Sequence, residues 1–215
     1  MYMADKTHKQ TGFALLVSII VVSVVISIGL VLLDVTTKQL RLSSNSTDSE
    51  QAFHAANAGM ECARYVRRNA RLQIEGDEFA SPRLDPAQDI SGVFCFGEQV
   101  VAEAGTNVDV DDLAGEGQAF AYQYEISWGG DRCSEITMGV AVANLLTEGP
   151  NPVEAGGLTV SSALLQERLP GYPPDQDIDC PAGSSCTVIL AKGYNRSCAD
   201  KNSFGTVQRE VLLEF

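Results

Sequence analysis

The residues of this sequence best suited to chemistry are six cysteines, two histidines and a set of closely spaced aspartates. The cysteines, Cys62, Cys95, Cys133, Cys180, Cys186 and Cys198, all follow a long apolar run, and no two form a Cys-x-x-Cys pair. Zinc and redox sites use such pairs, whereas an even cysteine count beyond a membrane segment suits disulfides in an oxidising compartment. All six are therefore disulfide candidates, and spacing alone does not choose among the fifteen complete pairings that six cysteines allow. Cys180 and Cys186 are near enough for a local loop, and Cys62 is expected to tie the end of a helix to the rest of the chain. His8 lies in the first dozen residues, and His54 stands between Phe53 and Ala55 with no activating neighbour, so no Ser-His-Asp set assembles. No catalytic residue is assigned, and the expectation is a protein that is not an enzyme.

Asp175, Asp177 and Asp179 alternate along one segment, and Asp109, Asp111 and Asp112 form a second acidic group. Calcium takes six to eight oxygen ligands, which makes the first group a candidate site. The glycine and terminal glutamate of an EF-hand loop are missing, so a solvated acidic loop is the default reading and calcium the alternative; no other cofactor is expected. Arg64, Arg67, Arg68 and Arg71 are spaced to share a helix face near its carboxyl end, where cations are favoured. A structural role, or contact with an acidic neighbour, is preferred there to contact with DNA. The 15 Lys and Arg against 28 Asp and Glu give a net charge of −13, which argues against a nucleic-acid partner for the protein as a whole.

These residues need elements to position them. A basic leader over 1–12 carries Lys6, His8 and Lys9 against Asp5, and 21 uncharged residues follow from Phe13 to Leu33. At 1.5 Å per residue that run spans about 30 Å, the thickness of a bilayer core, and it is too long for a cleaved signal peptide. From Asp34 to Ala70 there is no proline and a single glycine, Gly59, so the helix is expected to continue through 34–75. Ala52/Phe53, Ala56, Gly59/Met60, Ala63, Val66 and Ala70 recur every three to four residues and form one stripe to bury. Ser43 to Ser49 is the weakest stretch, because its hydroxyls and amides compete for backbone hydrogen bonds.

Within this stretch lies a family resemblance. Gly12-Phe13-Ala14-Leu15-Leu16, the apolar run and the block Gln51-Ala52-Phe53-His54-Ala55-Ala56-Asn57-Ala58-Gly59-Met60-Glu61 resemble a type IV prepilin. The Ala-Phe-x-Ala-Ala-x-Ala-Gly block is most similar to the minor pilins of the PilX type and the K-type minor pseudopilins of type II secretion. The resemblance covers roughly residues 9 to 70, with a weaker echo in Lys192-Gly193-Tyr194-Asn195 and Val207-Gln208-Arg209-Glu210-Val211. It implies cleavage after Gly12 by a prepilin peptidase, methylation of the new amino group of Phe13, and a filament with the apolar helices bundled at its centre. The implied partners are other pilin or pseudopilin subunits, the peptidase and an inner-membrane assembly platform. Two positions depart from the pattern: Thr11 precedes Gly12 where a basic residue is usual, and Val17 occupies the fifth mature position, where major pilins carry a glutamate that neutralises a neighbouring amino terminus. Loss of that glutamate in the family goes with subunits at the filament tip.

Residues 76–215 change character. The segment 71–191 carries four basic against twenty acidic residues, a net of −16. From Ala119 to Trp128 the large apolar residues Phe120, Tyr122, Tyr124, Ile126 and Trp128 alternate with smaller or polar ones, the signature of a half-buried strand. Glu135–Val142, Thr187–Tyr194 and Thr206–Phe215 read as further strands, Val93–Val101 as a shorter pair, and Ser161–Leu169 as a short helix. Gly129-Gly130-Asp131 suits a hairpin turn. Thr147–Gly157 and Leu169–Asp179 read as loops. The expected fold is α+β and pilin-like: a long amino-terminal helix, transmembrane in its first part and amphipathic beyond, packed on a carboxyl-terminal antiparallel sheet held by disulfides. The expected function is that of a minor pilin or pseudopilin, a single-pass membrane protein with its distal domain outside the cytoplasm before assembly, then part of a surface pilus or periplasmic pseudopilus. The alternative is an uncleaved, membrane-anchored surface protein whose distal domain binds a ligand.

Overall fold

Without proline between Thr11 and Asn69, nothing in the chain interrupts a helix, and α1 (Thr11–Asn69) runs unbroken in the computed structural model. The structure describes residues 11–76, 88–103, 117–143, 157–181 and 183–215. By its internal contacts the chain divides into two units, Met1–Thr47 and Asp48–Phe215. The division falls inside the Ser43–Ser49 stretch. The helix nonetheless continues there, with Thr47 Oγ1 donating to the Ser43 carbonyl at 3.1 Å.

In the second unit α1 ends at Asn69 and a one-turn helix α2 (Arg71–Glu75) follows, closed by Gly76. A hairpin of β1 (Ile90–Cys95) and β2 (Glu98–Ala102) comes next. Then β3 (Gly117–Trp128), β4 (Arg132–Ala143), β7 (Ser185–Tyr194) and β8 (Gln208–Glu214) form a four-stranded antiparallel sheet in the order β3-β4-β7-β8. Gly129 and Gly130, both at positive φ, make the β3–β4 turn, where a side chain would be strained. Between β4 and β7 lie β5 (Leu158–Val160), α3 (Ser162–Arg168) and β6 (Ile178–Cys180), with β5 and β6 paired antiparallel.

The period-2 pattern assigns each sheet residue to a face. Phe120, Tyr122, Tyr124 and Ile126 of β3, Ile136, Met138 and Val140 of β4, and Ile189 and Ala191 of β7 share one buried cluster with Met60, Ala63, Val66 and Ala70 of α1. Val211 and Leu213 of β8 pack against the same cluster. Removal of this apolar face from water is the main stabilising term for a sheet of this size. The helix comes unusually close. A Cβ added at Gly193 would lie 2.1 Å from the Ala52 carbonyl oxygen and the Ala56 nitrogen, and one at Gly59 would lie 2.8 Å from Ser134 Cβ. Ser134 and Gly193 pair across β4 and β7, so the sheet offers a shallow row on which the small residues of α1 rest.

One expectation needs correction. Phe53 does not join the buried stripe: it is 49% exposed, while Ala52 and Ala56 are fully buried. With backbone atoms of α1 touching the Gly193 position, a bulky side chain has no room at the contact and turns away. Between β4 and β7, where Thr147–Gly157 and Leu169–Asp179 read as loops, residues 144–156 lie outside the described residues and β5, α3 and β6 order much of the rest. β5, α3 and β6 bury Leu158, Val160, Leu165, Leu169 and Tyr172 against Ala119, Ala141, Val188 and Leu190, so the opposite sheet face is also covered.

All six cysteines are oxidised, as Cys62–Cys95, Cys133–Cys198 and Cys180–Cys186. The first joins α1 to the β1–β2 hairpin. The second anchors the β7–β8 connection to the start of β4, and the third closes a short loop between β6 and β7.

Candidate functional site

In the first unit, the described candidate surface is the outer face of α1 from Phe13 to Leu33. One helix, Phe13–Asn69, is long and apolar enough to cross a membrane, and its most apolar window has a mean hydropathy of 3.1 and no burial within the chain. Even the polar residues of the run are neutralised locally. Ser18, Ser23 and Ser27 donate to the carbonyls of Leu15, Ile20 and Ser23 at 2.8 Å each, so no hydroxyl needs a partner from the surroundings. That arrangement suits a non-aqueous environment, in which an unpaired polar group costs several kcal/mol. Phe13 is exposed, and Val17 presents an alkyl group with no charge. An ammonium brought to Val17 by another chain would find no carboxylate on residues 13–33. Gly12 falls within the first turn of α1, and residues 1–10 of the leader lie outside the described residues.

In the second unit, the four arginines do not act as one stripe. Arg67 is buried: its Nε donates to Thr187 Oγ1 at 2.8 Å, and its Nη2 to Ser185 Oγ at 3.1 Å and to Glu75. Glu75 also accepts from Ser185 Oγ at 2.7 Å and from Arg71 Nε at 2.7 Å. Burial alone would raise the Glu75 pKa, but the hydrogen bonds from Ser185, Arg71 and Arg67 outweigh it and hold the carboxyl at about 2. The cluster clamps the end of α1 and α2 to β7. Arg64 pairs with Glu61 at 3.2 Å on the surface, and Arg68 is exposed.

A second charged cluster holds the β7–β8 connection. Lys201 Nζ donates to Glu135 Oε2 at 2.5 Å and to Glu125, and lies 5.9 Å from the centre of the Tyr194 ring. Burial works to lower the Lys201 pKa, but the hydrogen bonds to Glu125 and Glu135 raise it overall, so the ammonium stays charged. Nearby, Glu125, Cys133 and Cys198 are the one group of three potential metal-ligand atoms within mutual reach among the described residues. The two sulfurs are joined in a disulfide and are not thiolates, so this group lacks the donors of a metal site.

The aspartates of the candidate calcium loop are brought to separate tasks. Asp177 Oδ1 accepts from the Ser162 backbone N–H at 2.7 Å, and Asp179 Oδ1 accepts from Thr159 Oγ1 at 2.8 Å. Asp175 occupies a turn at φ +66°. The three carboxylates do not converge on one point. Asp109, Asp111 and Asp112 lie outside the described residues. His54 is exposed on α1, with Nε2 3.9 Å from Glu50. A cavity of about 30 Å³ between the second sheet face and α3, lined by Val140, Leu165, Leu169 and Ile178 among others, has an apolar lining with no polar side chain to hold a water.

Sequence reasoning missed the residues that seat the helix. In the sequence Gly193 stands out only within the Lys192–Asn195 likeness; in the structure Ser134 Oγ, its cross-strand partner, donates to the Ala55 carbonyl at 2.6 Å and accepts from Trp128 Nε1 at 2.5 Å. The available signal was Gly193, in period with Ile189 and Ala191 on the strand expected at Thr187–Tyr194, opposite an alanine stripe; Ser134 falls one residue before the strand expected at Glu135–Val142. Comparison with protein-family models, with curated proteins and with solved structures finds no match.

Proposed function

We propose that this chain is a minor, pilin-like subunit, processed after Gly12, anchored in the membrane by residues 13–33, and placed at or near the tip of a type IV pilus-like filament. The observation that carries the reading is the joint one of a fully apolar, internally satisfied helix surface and Val17 in place of an acid. Apolar helices of separate chains bundle by shape and dispersion, and a charge pair sets the register of each added subunit against the one before it. A chain without the acid cannot neutralise the amino terminus of a subunit above it. Such a chain suits the first position, where no subunit above requires it. The distal domain, oxidised at three disulfides, is then the part turned outwards from the cytoplasm. The site is one of assembly and presentation, with no reaction assigned. The test is where the mature chain begins: an N-methylated Phe13 supports the reading, and an intact Met1 favours the membrane-anchored surface protein.

A further inference from the structure

The three bridges do not follow the order of their cysteines along the chain. Cys62–Cys95 joins the first cysteine to the second, but Cys133–Cys198 joins the third to the sixth and encloses Cys180–Cys186, the fourth and fifth. A chain that crosses a membrane behind an amino-terminal anchor presents Cys133 well before Cys198, which lies 65 residues further on, and Cys180 and Cys186 arrive between them. Oxidation in order of arrival joins Cys62 to Cys95, then Cys133 to Cys180, then Cys186 to Cys198. The first bridge is native and the other two are not.

The strand register leaves Cys133 open to this error. β3 and β4 follow one another and pair as a hairpin, with Ser127 opposite Cys133. The other side of β4 pairs with β7, where Tyr194 stands opposite Cys133. Cys133 is fully buried in the finished domain, but its strand has an unpaired side until β7 (Ser185–Tyr194) arrives, and Cys180 precedes all of β7. The register also makes the wrong bridge incompatible with the fold. Cys186 stands opposite Ala141, eight residues along β4 from Cys133, or about 27 Å at about 3.4 Å per residue. Cys180 lies 5.7 Å from Cys186 between Cα atoms, which leaves it more than about 15 Å from Cys133, whereas a bridge spans about 4.4–6.8 Å. While Cys133 holds Cys180, β4 and β7 cannot pair along their length.

We infer that this chain is a substrate of an exported thiol–disulfide isomerase, a protein with a reactive thiolate, which converts Cys133–Cys180 and Cys186–Cys198 into Cys133–Cys198 and Cys180–Cys186. This rests on the proposed function only in placing the distal domain outside the cytoplasm. The oxidation of the six thiols draws on a protein disulfide, which takes up two electrons and two protons for each bridge. The conversion that follows is redox-neutral. The isomerase thiolate attacks the Cys180 sulfur, forms a mixed disulfide and releases Cys133 as a thiolate. That thiolate attacks Cys198, forming Cys133–Cys198 and releasing Cys186. The Cys186 thiolate then attacks Cys180, closes the short loop and returns the isomerase thiolate. Each step breaks one S–S bond and forms one.

The experiment expresses the full chain in its own host with the exported isomerase present or deleted, blocks free thiols by alkylation at intervals, and maps the bridges by mass spectrometry without reduction. Cys62–Cys95 is the internal control and is expected to form alike in both. Without the isomerase, Cys133–Cys180 is expected to persist and the native pair to appear at least about 10-fold more slowly, within the span of seconds to hours that reshuffling covers. The paired variant Cys180→Ser with Cys186→Ser leaves only bridges between neighbouring cysteines, and its bridges are expected to form at the same rate with and without the isomerase. Cys133→Ser with Cys198→Ser has the same property and serves if the first pair does not fold. Native bridges that form equally fast in the parent without the isomerase, or a dependence as large in the paired variants, would overturn the inference and leave the exported domain standing. Six free thiols on the parent would overturn both.

Discussion

Substituting Gly193 with alanine is the sharpest probe of how α1 is seated. The added Cβ would stand 2.1 Å from the Ala52 oxygen and the Ala56 nitrogen, where ordinary contact begins at 3.4 Å. Both atoms are helix backbone, so no side chain can rotate aside and the helix must retreat by about 1.3 Å. A gap of 0.5–1 Å already forfeits a quarter to a half of each dispersion contact, and here the loss extends along Ala56, Ala63, Val66 and Ala70. Overpacking typically costs about 1–3 kcal/mol, and a backbone clash belongs at or above the top of that range. For a unit of this size about 3 kcal/mol lowers Tm by about 6–12 °C. Near-UV circular dichroism of the detergent-solubilised full chain, followed against temperature, reads the change. Gly139→Ala is the control, because its Cβ would meet only the end of the Leu169 side chain, Cδ1, at an ordinary contact distance of 3.4 Å. A Gly193→Ala chain melting within 2 °C of the parent would refute the close seating of α1 on β7, because about 3 kcal/mol could not then have been lost.

The Glu75 clamp makes stability depend on acid. Its folded pKa of about 2 lies below the ordinary value of 4.5, so the contribution is fully present above pH 4.5 and is lost as pH drops towards 2. Urea midpoints measured across that window should converge for the parent and Glu75→Gln at the acid end and separate in favour of the parent above pH 4.5. The disulfides should differ in weight. On loop length alone, Cys133–Cys198, with a separation of 65, contributes about 4 kcal/mol and Cys180–Cys186, with a separation of 6, about 2 kcal/mol. Paired serine substitutions compared by urea unfolding should show the larger loss for the longer loop.

What the sequence made legible was local. Alternation from Phe120 to Trp128 locates β3 and its buried face because side-chain period is a property of the strand itself. The absence of proline from Thr11 to Asn69 likewise predicts a continuous helix. What escaped depends on elements meeting. Phe53 falls on the same period as Ala52, and only the contact of Gly193 with the helix backbone decides that the alanine goes in and the phenylalanine out. Arg67 reads as one of four surface cations until Thr187, Ser185 and Glu75, distant in sequence, surround it. β5 and β6 are three residues each, too short for any period to emerge, and they exist because Leu158, Val160 and Cys180 cover a sheet face. Residues 13–33 were legible for the opposite reason: among the described residues their side chains are exposed, so their composition alone describes them.

The most direct test of pilin-like processing is mass spectrometry of the amino terminus of the full chain, made alongside a cognate prepilin peptidase and again with that peptidase inactivated. The expected result is a chain beginning with N-methylated Phe13 in the first sample and with Met1 in the second. A chain beginning with Met1 in both samples would contradict processing at Gly12 and, with it, a place in any such filament.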